Sequence, residues 1–326
     1  MAKNNFQFAS TAGHFQLDID GHGTPAYLNA VEGGYVRNGV VNEAVGADNL
    51  KIKHSSQVEI EPFTVTFGFA SAASILKWIQ ASWRKNVTRR NGQITHANFN
   101  LATTYEHEFT GAILTETIFP ELDGASTKPA QLKIKFQPET VHSRRVNGTQ
   151  RLQPISDVAQ KAWLCSGFRL TVDGVEGFEK TSTLSSFSIK QGTRNFFVGQ
   201  DRYPQVEPTR IEFPTITGTI AEGEYTKNIE LWYQQSVTRG MADWRAQRTG
   251  ALEFLAPNRA DVLFRVKFEG GLNGFSMAPS SGNASEIKRR KFEIYFEKFD
   301  LDGGIVNTAG GIAGKIGLPT DAPIKI

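Results

Sequence analysis

The side chains with the most evident chemical potential are the basic run Lys288-Arg289-Arg290-Lys291, the paired acids of Asp18-Ile-Asp20-Gly21 and Asp300-Leu-Asp302-Gly303, the dyad His107-Glu108, the single Cys165, and a glycine-rich tail around Lys315. Each is a fragment of a known chemistry, and each lacks a partner that chemistry requires. A phosphate loop needs a glycine where Ala309 stands and a hydroxyl residue where Ile316 stands. A calcium loop needs later oxygen ligands and a closing Glu, which follow neither Asp-x-Asp-Gly segment, so turn chemistry accounts for both. His107-Glu108 has no second His at helical spacing, and the six His show no ligand pattern, which predicts surface residues. Cys165 has no Cys partner and reads as a buried structural thiol. No Gly-x-Ser-x-Gly elbow occurs. These absences predict a protein that is not an enzyme and that carries no catalytic residue, metal or cofactor.

The basic run and the pair Arg144-Arg145 remain as candidates for contacts between subunits. Lys plus Arg total 36 against 33 Asp plus Glu, a net charge of +3. That surplus is too small for a bulk nucleic-acid binder, and it favours an acidic partner or a charge-protected sheet edge.

The elements that must carry these residues are mostly strands. Among the 326 residues are 31 Gly and 23 Phe, a balance that favours sheets and turns over helices. In Phe15-Gln-Leu-Asp-Ile-Asp-Gly21 the apolar residues Phe15, Leu17 and Ile19 alternate with polar ones, as a strand with one face on a core requires. The pattern returns as Phe168-Arg-Leu-Thr-Val-Asp-Gly174, with Phe168, Leu170 and Val172 on the apolar face. Residues 30–45, with apolar residues among Gly33, Gly34 and Gly39, suit a twisted or bulged hairpin, and 44–53 reads as a loop. Strands follow over 57–69, 94–102, 106–117 and 131–141, and later over 209–221, 252–255, 262–268 and 291–299. Two segments have helical spacing instead: 71–85, centred on Trp78, and 228–239, whose buried side is predicted as Ile229, Trp232, Tyr233 and Val237.

The second half repeats the order of the first. Phe15 matches Phe168 at an offset of 153 residues, Ile60 matches Ile211 at 151, Trp78 matches Trp232 at 154, Phe109 matches Phe264 at 155 and Phe136 matches Ile294 at 158. An offset that drifts slowly, with changes falling in loops, is the trace of a tandem duplication. The expected organisation is a first domain over 1–142, a connection over 143–164 with a short helix near 156–163, a second domain over 165–302, and a glycine-rich arm over 303–326.

This order of parts resembles the inner tail-tube protein family of contractile phage tails and related injection systems. The resemblance rests on the strand Phe15 to Gly21, the strand Phe63 to Phe69, the helix Ile75-Leu-Lys-Trp78-Ile, the segment Phe109 to Pro120 and the strand Leu132 to Glu139, and on their echoes Phe168 to Gly174, Ile211 to Ile220, Ile229-Glu-Leu-Trp232-Tyr, Val262 to Phe275 and Phe292 to Phe299. It implies a mainly β fold, with two tandem β-barrel or sandwich domains and one helix per unit. It also implies a structural subunit that assembles with itself into stacked rings around a channel for DNA or effector cargo, alongside sheath and baseplate proteins. Such family members usually carry one domain per chain in six-fold rings, so a chain with two implies a pseudo-six-fold ring of three copies, or a ring of six. Assembly in the bacterial cytoplasm, without membrane insertion of the monomer, is the matching expectation. The alternatives are a baseplate, hub, tube-initiator or terminator part of the same machine, and an all-β carbohydrate or host-surface binding module. The last would need exposed aromatics, and only Trp163 lies away from the two helices.

Overall fold

The computed structural model describes residues 13–20, 25–44, 51–68, 72–84, 89–152, 163–241, 246–279 and 287–302. The helix predicted near 156–163, Trp244, Gly21 and the arm over 303–326 lie outside the described residues. The fold is mainly antiparallel β. The first half runs β1 (His14–Ile19), β2 (Ala26–Leu28), β3 (Ala30–Glu32), β4 (Val36–Ala44), β5 (Lys51–Ile60), β6 (Phe63–Phe67), α1 (Ala73–Trp83), β7 (Arg90–Ala97), β8 (Thr103–Phe119), β9 (Leu122–Asp123), β10 (Leu132–Gln137) and β11 (Thr140–Arg145). The second runs β12 (Phe168–Val172), β13 (Thr181–Leu184), β14 (Phe187–Phe196), β15 (Gln205–Glu212), β16 (Thr215–Ala221), α2 (Thr226–Tyr233), β17 (Arg248–Leu255), β18 (Val262–Met277) and β19 (Arg289–Asp302).

The alternation read in the sequence is realised where one face meets the core. Leu17, Ile19, Leu170 and Val172 are buried, while Phe15 and Phe168, each near the start of its strand, are only half-buried. Helix α1 buries Ile75, Leu76, Trp78, Ile79 and Trp83 along one stripe. Trp78 meets Phe136, which stacks on Phe63 with ring centroids 5.3 Å apart. In α2, Ile229 and Trp232 are buried, and the Trp232 indole N–H donates to the Ala246 carbonyl at 2.7 Å. Val237, predicted to be buried, is exposed instead. A π-helical turn over Gln234–Thr238 follows α2, and its extra residue per turn rotates Val237 off the apolar stripe.

Two other expectations change. The segment read as a loop over 44–53 contributes Lys51–Lys53 to β5, which with β4 forms a separate two-stranded hairpin. Residues 143–145, placed in an irregular connection, extend β11, where Arg144 lies opposite Glu106 and Arg145 opposite Tyr105.

Hydrogen bonding gives the two halves the same strand order. One sheet contains the path β1-β7-β8-β10-β6-β3 and the other the path β12-β17-β18-β19-β16-β13. Leu17 lies opposite Ile94 as Leu170 lies opposite Leu252, and Gly92 faces Phe109 as Gly250 faces Phe268. Irregularities recur as well. The ladder between β8 and β10 skips Thr115, that between β18 and β19 skips Asn273, and the two hairpins are interrupted at Gly39 and Gly192.

This pairing corrects two of the offsets. Phe109 matches Phe268, not Phe264, because both face the equivalent glycine. Ile211 matches Val58, not Ile60, because they oppose Gln191 and Asn38 at the same step of their hairpins. Both errors are even-numbered slips, which leave every side chain on its own face and so are invisible to period-two alternation.

Sequence boundaries and hydrogen-bond boundaries do not coincide. The hairpin β14–β15 belongs to the second half by order, yet β14 pairs with β8 of the first; β9 of the first half pairs with β13 of the second. One apolar cluster runs through both halves, from Leu17 to Leu301.

Candidate assembly surface

The junction between the halves is a strand-to-strand contact. Strand β8 is long enough to take β7 along one edge over 103–112 and β14 farther along over 116–119. The register is Phe187 opposite Phe119, Ser188 opposite Ile118, Ile189 opposite Thr117 and Lys190 opposite Glu116. On the buried face Ile189 and Thr117 are covered, and the rings of Phe119 and Phe187 stack at 4.6 Å. On the other face Glu116 lies between Lys135, at 2.8 Å, and Lys190. Burial raises the Glu116 pKa, but bonds from Lys135 and Ser188 and the charge of Lys190 outweigh it and hold the carboxyl below its usual range.

Polar and charged side chains fasten the margins. Arg89 donates to the Val206 carbonyl at 2.9 Å and pairs with Glu207 at 2.7 Å and Glu139 at 3.2 Å; Glu139 in turn accepts the Val206 N–H at 3.1 Å. At the other margin the Gln80 side chain donates to the Leu301 carbonyl at 2.7 Å, and Arg84 grips Asp300 with two bonds at 2.8 and 2.9 Å. Between these margins lies a cleft of about 1180 Å³ lined by residues of both halves, among them Trp83, Arg210, Phe213 and Phe268.

The first half has a hairpin of the same construction, β4–β5, that joins no other strand among the described residues. It carries Tyr35, Val40, Val41 and Ile52 exposed to solvent, together with the ion pair Arg37–Glu59 at 2.9 Å and a contact of 3.3 Å between His54 and Glu43. The sequence places a bulged hairpin within 30–45; the observed one pairs Val36–Ala44 with Lys51–Ile60, whose exposed residues 51–57 carry no apolar alternation to mark a strand.

The six cations singled out from sequence lie in two places. Lys288 and Arg289 are exposed at the entry to β19. Arg290 is held within the chain, paired with Glu222 at 3.2 Å and set over the Phe275 ring at 5.2 Å, and Lys291 pairs with Glu293 at 2.7 Å. Arg144 pairs at 3.0 Å with Glu106, whose side chain is 4% exposed, and Arg145 is exposed beside it. Trp163, the one tryptophan read as free for a binding role, is buried edge-on against Phe254 and Phe264.

The histidines differ from the surface reading in one place. His96 and His107 lie 5.1 Å apart among Phe15 and Tyr105, and both are half-buried. Burial, and secondarily the neighbouring His96, push the His107 pKa down to about 4. Its Nδ1 is bonded to the Ser143 hydroxyl at 2.8 Å. Cys165 is buried, and desolvation raises its thiol pKa. Among the described residues no group of three or more His, Cys, Asp or Glu could hold a metal, and no helix is long and apolar enough to cross a membrane.

No protein-family model matches this chain, and no curated protein does. Among solved structures it is similar to a chain of the sheath-tube complex of an extracellular contractile injection system, PVC, in the extended state, at 17% identity over 43% of this chain and 95% of that one, with a TM-score of 0.38. It is also similar to a chain of the baseplate of the anti-feeding prophage, at 14% identity over 43% and 98% with a TM-score of 0.39, and to Hcp1 from Flavobacterium johnsoniae, at 14% identity over 40% and 94% with a TM-score of 0.29.

Proposed function

We propose that this chain is a non-catalytic structural subunit of a contractile phage tail or related injection machine, built as two tandem copies of one tube-forming unit that assemble with other chains into stacked rings around a channel. The observation that carries the reading is the junction of β14 with β8. Two halves with one strand order are held together by the hairpin of one lying on the sheet edge of the other. A contact of that kind, repeated between chains, is heterologous, and a rotation that closes turns it into a ring with no exposed edge. Three chains would supply six units to a pseudo-six-fold ring, with sheath and baseplate proteins outside and DNA or effector cargo inside. In this reading the exposed cations Lys288, Arg289 and Arg145 belong to contacts between subunits.

Electron microscopy of the purified full chain tests the proposal. Rings or stacked tubes with six units around the axis are the expected result. A monodisperse monomer at high concentration, with no ring or tube, would overturn it.

A further inference from the structure

The two halves differ in how their hairpins and sheet edges are satisfied. In the first half, β8 receives β7 and then β14 along one edge. In the second half, β18 receives β17 along the corresponding edge only from Val262 to Gly270, while β19 takes the opposite edge through Met277. The edge over Gly271–Met277 has no strand beside it among the described residues. Conversely, the hairpin β4–β5 is built like β14–β15, yet lies on no sheet edge among the described residues. The chain thus holds one donor hairpin and one acceptor edge that do not pair with each other.

We infer that residues Gly34–Arg37 of one copy pair antiparallel with Gly274–Met277 of a second copy, in the register that β14 adopts on β8. The inference rests on the proposed self-assembly for the identity of the partner, and on the strand pairing for its position. Lys190 and Arg37 occupy the same step of their hairpins, opposite Glu212 and Glu59, just before the interruptions at Gly192 and Gly39. Glu116 and Gly274 occupy the same step of their strands, just after the skipped residues Thr115 and Asn273. Superposing the two steps sets Arg37 opposite Gly274, Val36 opposite Phe275, Tyr35 opposite Ser276 and Gly34 opposite Met277.

The chemistry of that register is complementary. Val36 is half-buried, and Phe275, 8% exposed, would complete its apolar cover as Thr117 does for Ile189. Tyr35, 66% exposed, and Met277, 46% exposed, would both lose water. Within the chain a basic residue of the hairpin, Lys190, meets the acid Glu116 on the adjacent strand. In the contact between copies the adjacent position is Gly274, with no side chain, and the acid is supplied one strand farther on by Glu293, whose Cβ is 3.3 Å from where a Gly274 Cβ would be. Arg37 is long enough to cross that gap. The donor and acceptor are different surfaces, so each copy offers one of each, and association is head-to-tail.

Paired cysteines test the register in the full chain. Tyr35 and Ser276 are exposed, so Tyr35→Cys and Ser276→Cys leave the core intact, and the two positions would be directly opposite, within disulfide reach. In a Cys165→Ala background, mild oxidation of the double variant should give a ladder of covalent multimers, and a mixture of the two single variants should stop at dimers. Electron microscopy of the same samples separates the two ideas. Rings without the cross-link overturn this pairing and leave the ring reading standing. A ladder without rings supports the pairing and defeats the ring reading. Neither ladder nor rings overturns both.

Discussion

The ring of Phe187 lies flat on that of Phe119, with centroids 4.6 Å apart and planes 11° from parallel, although one side chain comes from each half of the chain. Phe187 also stacks near Phe299, and Phe119 against Phe254, so aromatic packing continues from the first sheet into the second. This is the packing that β14 brings when it lies on β8. Phe187→Ala should therefore destabilise the whole chain by about 3–5 kcal/mol, the usual cost of emptying a buried aromatic site. Guanidinium denaturation would measure it. A loss under about 1 kcal/mol would mean that the junction contributes little to folding.

The matched glycines make a second prediction. A Cβ on Gly92 would stand 2.3 Å from the Asp18 carbonyl oxygen and 2.7 Å from the Phe109 ring; on Gly250 it would stand 2.4 Å from the Thr171 carbonyl oxygen and 2.5 Å from the Phe268 ring. The same strand and the same ring are blocked in each half. Gly92→Ala and Gly250→Ala should each cost about 1–3 kcal/mol through overpacking. Thermal melting of the two variants should show similar losses, and one silent variant would break the correspondence.

His107 makes stability depend on pH. Its folded-state pKa of about 4 lies below the ordinary 6.5, so the unfolded chain takes up the proton first. The contribution is complete above about pH 6.5 and is lost as pH falls toward 4. The melting temperature of the parent should drop more over that range than that of His107→Gln. Parallel curves would remove His107 from the pH response.

Arg89 anchors the hairpin β14–β15 through Glu207, Glu139 and the Val206 carbonyl. The Glu207 side chain is 55% exposed, so a double-mutant cycle between Arg89 and Glu207 should give only about 0.2–1 kcal/mol. Glu139 is 23% exposed and also accepts the Val206 N–H, so Glu139→Ala should cost more than Glu207→Ala. Equal losses in denaturant midpoints would contradict this ranking.

Much of the fold was legible along the chain. The alternation of Leu17 and Ile19, and of Leu170 and Val172, marks strands with one buried face, and the spacing around Trp78 and Trp232 marks the two helices; in both cases the hydrophobic period is the local geometry itself. The hairpin β4–β5 was legible only in part: the glycines within 30–45 mark a bulged hairpin, but residues 51–57, exposed on both faces, have no period to identify them as its second strand. The correct match of Phe109 to Phe268 was not legible, since a slip of four residues preserves every face. Of the candidate cations, Arg144 and Arg290 are paired with Glu106 and Glu222, which lie far away along the chain and are brought near by strand pairing, while Lys291 pairs with Glu293 two residues on along the same strand.

The sequence by itself determined that the chain is mainly β, that its second half echoes its first, and that the catalytic and metal-binding patterns sought are incomplete. These follow from residue type and spacing, which local geometry converts directly into strands, helices and turns. Only the tertiary structure decided that β14 of the second half lies on β8 of the first, and that, among the described residues, β4–β5 pairs with no other strand and the outer edge of Gly271–Met277 has no strand beside it. Hydrogen bonds between backbones carry no side-chain signature, so the sequence identifies strands without naming their neighbours.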